Sequence, residues 1–216
     1  MDIPTVIIPT RNNLAYLRMA IESLTSSTKI PFDLTVVESD CTDGTKEFLA
    51  YLEKVSHIKV IHADGKNSIQ ATNMAIRECK GDVFLTQDDM IFTKIIKFDW
   101  FEQMIKASRR EDCGVVTVLD SIKISGPEYK DGIRWCGTWC CYIPRKTLDK
   151  IGLLDENMQI GDDIDYAYRM GQAGLNIIQI PIWFEHHKQR NSPHAPQDSD
   201  IIKNNAEYFR SKHGIK

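Results

Sequence analysis

Four short apolar runs, each followed by a stretch at helical spacing, occupy the first ninety residues and leave few folds open. Thr5-Val6-Ile7-Ile8 stops at Pro9, as a buried parallel strand does. Leu14, Leu17, Ile21 and Leu24 then recur at helical spacing, with Asn12 or Asn13 available as the N-cap. Leu34-Thr35-Val36-Val37 reads as a second strand, followed by a polar turn and a helix carrying Phe48, Leu49 and Leu52. Residues 58–61 read as a third strand and residues 69–79 as a helix. Val83-Phe84-Leu85 is the fourth strand and runs straight into Asp88-Asp89. This order predicts an α/β fold with a mostly parallel central sheet, right-handed crossovers and flanking helices. Ligands of such sheets bind beyond the carboxyl ends of the strands, so the polar residues after each strand belong to one cleft.

Beyond residue 90 the pattern loosens. Residues 98–109 read as a helix, residues 114–119 and 140–143 as strands, and residues 163–173 as a helix. Residues 176–180 read as a last strand and residues 200–212 as a terminal helix. The polar stretch 189–200 holds two prolines and reads as a mobile loop. With 216 residues and no linker or repeat, one domain suffices, with a regular first half, 1–90, and a looser second half, 91–216.

The formal charge of −3 argues against nucleic acid as a partner, so any bound phosphate must be met by a local cation, a metal ion or backbone amides. No uncharged apolar stretch is long enough to span a membrane, and no basic segment with an apolar follow-on suggests a secretory signal. The six cysteines form no C-x-x-C pair, and Cys140 and Cys141, adjacent on a strand, should point to opposite faces. Reduced thiols and a cytoplasmic location are the expectation.

Three groups of residues invite chemistry. Asp88 and Asp89, side by side at the exit of a buried strand, repel each other unless a cation sits near. Oxygen ligands suit Mg²⁺ or Mn²⁺, which bridge carboxylates to a diphosphate, although a solvated acidic turn is an equal reading of that pair alone. Asp162, Asp163 and Asp165 gather at a helix N-terminus, which the dipole favours, and Asp165 with Arg169 makes an i, i+4 pair. That structural role is sufficient for Asp165 and Arg169. It is less so for Asp163, whose neighbour already caps the helix, and a carboxylate at a cleft rim can serve as general base. His186-His187 ends a strand-like run interrupted by Pro181, and two histidines in series beside a carboxylate site are candidate ligands. Lys188 and Arg190 follow, able to reach phosphate oxygens or to act as ordinary surface charge. Glu38 ends the second strand, where a carboxylate can read a base N–H or ribose hydroxyls.

The order of these signals is more specific than any of them. Val6-Ile7-Ile8-Pro9-Thr10-Arg11-Asn12-Asn13 and Val36-Val37-Glu38-Ser39-Asp40-Cys41-Thr42-Asp43-Gly44-Thr45 resemble the opening of family 2 glycosyltransferases. Asn73-Met74-Ala75-Ile76, the segment from Gly81 to Met90, and the stretch from Gly137 to Arg169 continue the likeness, which covers nearly the whole chain. The resemblance implies a GT-A fold, Mn²⁺ or Mg²⁺, inversion at the anomeric carbon and a nucleotide-sugar donor, UDP-, GDP- or dTDP-linked. It implies an acceptor hydroxyl on a glycan, lipid or protein. By position it places Pro9, Thr10, Arg11, Glu38, Asn67 and Asp88 around the nucleotide. Asp89 with His186 or His187 would hold the metal, and Gly137, Thr138, Trp139 and Asp162 would lie where sugar and acceptor meet. Asp163 matches the catalytic base, and Lys188 and Arg190 would meet the phosphates when loop 189–200 closes.

Three departures from the pattern stand out. Met90 replaces the last carboxylate of D-x-D, Asp162 replaces the usual Glu, and the Q-x-x-R-W of processive synthases is missing, so one sugar or a few should be added. Two other functions fit parts of the pattern. A sugar-phosphate nucleotidyltransferase would need a glycine-rich basic loop after the first strand, and residues 9–13 contain no glycine. A non-catalytic nucleotide-sugar-binding module would account for Met90 but not for Asp88, Asp89 and Asp163 together.

Overall fold

The computed structural model describes residues 3–56, 58–120, 136–187 and 199–215. In chain order the elements are β1 (Thr5–Thr10), α1 (Leu14–Ser27), β2 (Asp33–Glu38), α2 (Thr45–Val55), β3 (Ile58–His62), α3 (Ser68–Glu78) and β4 (Val83–Thr86). They continue with β5 (Met90–Ile91), α4 (Trp100–Ser108), β6 (Cys113–Asp120), β7 (Cys140–Ile143), α5 (Arg145–Ile151), α6 (Asp162–Gln172), β8 (Asn176–His186) and α7 (Ser199–His213). The strands form one sheet in the order β3-β2-β1-β4-β7-β6-β8-β5. β1 to β4 are parallel, β7 opposes β4 and β6, β6 and β8 are parallel to each other, and β5 opposes β8.

Period-two alternation divides the strand residues between two cores. Val6, Ile8, Val36, Phe84, Cys140 and Tyr142 face α1, α2 and α4. Ile7, Val37, Leu85, Cys141 and Ile143 face α3, α5, α6 and α7. Cys140 and Cys141 thus point to opposite faces as expected, and none of the six cysteines is in a disulfide. On the first face Phe84, Phe92, Trp100, Phe101 and Phe184 form an aromatic cluster with centroid separations from 4.9 to 6.0 Å. The indole N–H of buried Trp100 donates to Ser27 Oγ at 3.1 Å, so a large apolar side chain is buried without an orphaned donor.

Several local expectations are corrected. Asn13 occupies the N-cap position of α1, but its side chain makes no cap bond. Asp43 Oδ2 instead accepts the Leu14 N–H at 2.9 Å, while Asp43 Oδ1 accepts the N–H of Thr45. One carboxylate therefore serves two helix starts. The last strand does not stop at residue 180 but runs through Pro181 to His186. The pairing with β6 slips between Val118↔Ile180 and Leu119↔Trp183, so the proline's missing N–H falls at an irregularity where no ladder bond is lost. β5 and α5 were not anticipated. Residues 188–198, which include Lys188, Arg190 and most of the proposed loop 189–200, lie outside the described residues; Ser199 and Asp200 already belong to α7. Among the described residues no helix is long and apolar enough to cross a membrane.

α6 is fastened from beneath. Asp165, fully buried, receives Arg169 Nε at 2.8 Å, Lys212 Nζ at 2.6 Å and His213 Nε2 at 2.8 Å. Burial alone would raise its pKa, but the bonds from Lys212 and His213 and the charge of Arg169 hold it below the usual carboxylate value. A depressed carboxylate contributes stability that is present above its unfolded pKa and lost as pH falls through the lower, folded one. Asp165→Asn is therefore expected to cost about 2 kcal/mol near neutral pH, as for lost hydrogen bonds to a charged group, and to flatten the acid limb of stability. A denaturant midpoint that does not move would remove the fastening role.

Candidate active site

The chain changes direction around β1. β2 and β3 lie to one side of it and β4 to the other, so a crevice opens between the carboxyl ends of β1 and β4. Asp88 spans that crevice. Its Oδ2 accepts Thr10 Oγ1–H at 2.6 Å and its Oδ1 accepts Asn13 Nδ2–H at 2.9 Å. Burial pushes its pKa up to about 6 against the opposing pull of these two bonds. Asp88 is thus a strut between β4 and the β1–α1 turn.

Asp89 faces the other way. Its Oδ1 lies 3.3 Å from His186 Nε2, which also contacts Gln87 Oε1 at 3.0 Å. His186 Nδ1 and Asp89 Oδ1 are both buried and lack a hydrogen-bond partner. Such atoms are costly unless a cation or a donor meets them. The neighbouring His187 does not share this contact. Its ring nitrogen pairs with Glu185 at 3.1 Å, its ring lies 5.4 Å from Tyr16, and only its backbone N–H reaches Asp89 O, at 3.0 Å. The imidazole of His186 is fixed by Trp139, whose ring stacks on it at 5.1 Å and 18°. Trp139 is set by a turn in which Cys140 N–H donates to Gly137 O at 3.0 Å. Gly137 has φ +58, and a Cβ there would meet the Trp139 indole nitrogen at 3.1 Å.

The chain of contacts continues to α6. Gln87 N–H donates to Trp139 O at 3.2 Å, and Thr138 Oγ1–H donates to Asp162 Oδ2 at 2.8 Å. The expectation that Asp162 caps α6 is corrected: the N-cap position is Gly161, at φ +79, and no side chain caps the helix. Burial raises the pKa of Asp162 and, with the added charge of Asp162, lifts Asp163 to about 7. Asp163 Oδ1 accepts only the N–H of Ile164, at 2.9 Å, so a carboxylate that would titrate near neutrality has an oxygen to spare among the described residues.

Pro9, Thr86, Gln87, Thr138 and Asp162 line a small pocket of ≈ 60 Å³, with Ser68 and Thr72 from α3 on its far wall. Asp163 is not in that lining. A larger cavity of ≈ 560 Å³ opens at the opposite ends of the strands, beside Thr5, Asp33 and Gly81, and no candidate residue borders it. Glu38 is fully buried, with Oε1 2.6 Å from His62 Nδ1 and 3.6 Å from Lys46 Nζ, and Oε2 accepting Cys41 N–H at 3.3 Å. Strand pairing places His62 directly opposite Glu38, which explains the cover. Arg11 pairs with Asp40 at 3.4 Å. Asn67 caps α3 in a reciprocal box with Gln70. Gln87 and Asn13 were missed as site residues, and the signal for Gln87 was its place between a buried strand and the two carboxylates. Among the described residues no group of three or more His, Cys, Asp or Glu side chains is arranged around a metal position.

A carboxylate-rimmed crevice at the switch point of a mostly parallel sheet is the arrangement in which α/β domains bind nucleotides. The chain belongs to glycosyl transferase family 2, whose model matches residues 5–164. Its fold is GT-A. It superposes on a mannosyltransferase, PcManGT from Pyrobaculum calidifontis in complex with GDP-Man and Mn²⁺, with a TM-score of 0.73, 17% identity and coverage of 98% of this chain and 64% of that one. S. aureus TarS 1-349 in complex with UDP-GlcNAc gives 0.72 at 15% identity, covering 95% and 66%. In sequence the chain is 23% identical to the uncharacterized protein y4gI of Sinorhizobium fredii over 96% of its own length. It is 28% identical to an uncharacterized glycosyltransferase of Rickettsia bellii over 41%. It spans only 27% and 13% of the lengths of those two relatives.

Proposed function

We propose that this chain transfers a single sugar, with inversion, from a nucleoside diphosphate donor to an acceptor hydroxyl. The observation that carries the reading is the run of contacts from Asp89 through His186, Gln87 and the Thr138–Trp139 turn to Asp162, beside the Asp88 strut at the switch point. It supports reading Asp89 with His186 as a cation site and Asp163, next to Asp162, as the proton acceptor. The nucleoside lies over Pro9, Thr10 and Arg11, edged by the Glu38–His62 pair and by Asn67. Asp89 and His186 would hold Mn²⁺ or Mg²⁺, the carboxylate through its orphaned buried Oδ1 and the imidazole through the Nε2 that faces it. When bound, the ion would neutralise the charge of the departing diphosphate. The Mn²⁺ and nucleotide-sugar complexes of the two structural relatives support this choice of ligands.

Asp163 takes the proton of the acceptor hydroxyl as that oxygen bonds to the anomeric carbon, and the bond to the diphosphate breaks with its electrons leaving on the nucleotide. Burial, with the charge of Asp162 held by Thr138, keeps the Asp163 pKa high enough to receive a proton near neutral pH. Gly137 shapes the turn that brings Thr138 and Trp139 to this position. Lys188 and Arg190 are proposed to meet the phosphates.

A thermal-shift screen of UDP-, GDP- and dTDP-sugars with Mn²⁺ tests the reading. A donor at a hundred times its Kd should add ~2.7 kcal/mol to stability. In the same assay Glu38→Ala should weaken nucleotide binding and also lower stability by about 1–3 kcal/mol, because it leaves the buried Cys41 N–H unmet. If no nucleotide-sugar shifts the parent protein, the chain is not a donor-binding transferase.

A further inference from the structure

The segment between β5 and α4 presents apolar side chains to solvent in a way that core packing does not require. Phe92 is buried in the aromatic core and Ile95 packs against the same core, but Ile96 beside it is 97% exposed and Phe98 41% exposed. The tip is held at both ends. Phe92 N–H donates to Ser23 Oγ at 3.1 Å, and Asp99 takes the Thr28 hydroxyl at 2.7 Å, the Lys29 N–H at 2.7 Å and the Phe101 N–H at 3.0 Å. Ile96 is therefore presented outward by a braced turn and does not belong to a collapsed loop.

Charge surrounds this tip. Lys94 and Lys97 flank Ile96, and the bond from Lys29 N–H to Asp99 brings a third lysine to the same edge. All three are exposed, and none makes an ion pair or side-chain hydrogen bond among the described residues. The nearby carboxylates are engaged, Asp99 as described and Glu102 with Lys106 at 3.0 Å. The local charge is thus positive although the chain as a whole is slightly acidic. A protruding aliphatic and an aromatic side chain ringed by unpaired lysines match a bilayer surface, where apolar groups enter the acyl boundary and lysines meet anionic headgroups. We propose that the 93–98 turn is a docking wedge for membranes carrying anionic lipid headgroups.

Sedimentation with vesicles tests it. The protein should pellet with phosphatidylcholine vesicles that contain phosphatidylglycerol, much less with phosphatidylcholine alone, and less again in high salt. Lys94→Ala and Lys97→Ala should each weaken binding about fivefold, the equivalent of one lysine at a charged bilayer surface. Ile96→Asp should abolish it with an unchanged melting temperature, since the side chain supports no packing. No binding of the parent to anionic vesicles overturns the proposal, as does undiminished binding of Ile96→Asp. The second outcome would place any vesicle contact elsewhere on the molecule.

Discussion

Asp163→Asn should lower kcat by about 100- to 10,000-fold while leaving donor affinity and fold nearly unchanged, because asparagine keeps the shape but cannot take the proton. The pH dependence sharpens the test. A base must be ionised to act, and burial together with Asp162 sets the Asp163 pKa at about 7. The parent rate should therefore climb as pH rises through about 7 and level off above, and the variant should lose that limb. The competing role is structural, since Asp163 Oδ1 accepts the Ile164 N–H in the first turn of α6. Asparagine can accept the same bond, so a purely structural Asp163 predicts a variant within a few-fold of the parent. Asp165 is not available as a substitute base, for its carboxylate is committed to Arg169, Lys212 and His213. Asp162 would then be the residue to test.

Asp89→Ala should reduce transfer by about a thousandfold or more, and a chelator should do the same to the parent, because stabilisation of departing charge by a metal is worth several kcal/mol. His186→Ala should follow it and His187→Ala should not, as only His186 shares the contact with Asp89. Full activity in excess chelator would remove the ion from the mechanism.

The parallel half of the sheet was legible because strands buried on both faces read as short continuous apolar runs. β5 could not be read, since two residues carry no period, and its existence depends on pairing with the distant end of β8. α5 was readable in principle from Leu148 and Ile151 at helical spacing, with Pro144 before and Gly152 after, but it is only seven residues long. Within the site, residue types were easier to find than their partners. Asp88 and Asp89 sit in the turn between β4 and β5, where one reaches Thr10 and the other His186, a division that the sequence pair does not announce. Which histidine faces Asp89 and how far Glu38 is covered depend on strand pairing across long separations, which local pattern does not encode.

The carboxylate under α6 ties the fate of the proposed base to a remote part of the chain. Asp165 lies two positions beyond Asp163, and two of its three side-chain partners come from the end of α7. In divergent descendants of this sequence, drift at Lys212 or His213 is felt first as an uncompensated buried charge beneath the proposed base, and only then at the surface. Substitutions in that tail should accordingly be inherited in company with changes at 165 or 169, giving the terminal helix a signature of coevolution with residues it never touches through substrate.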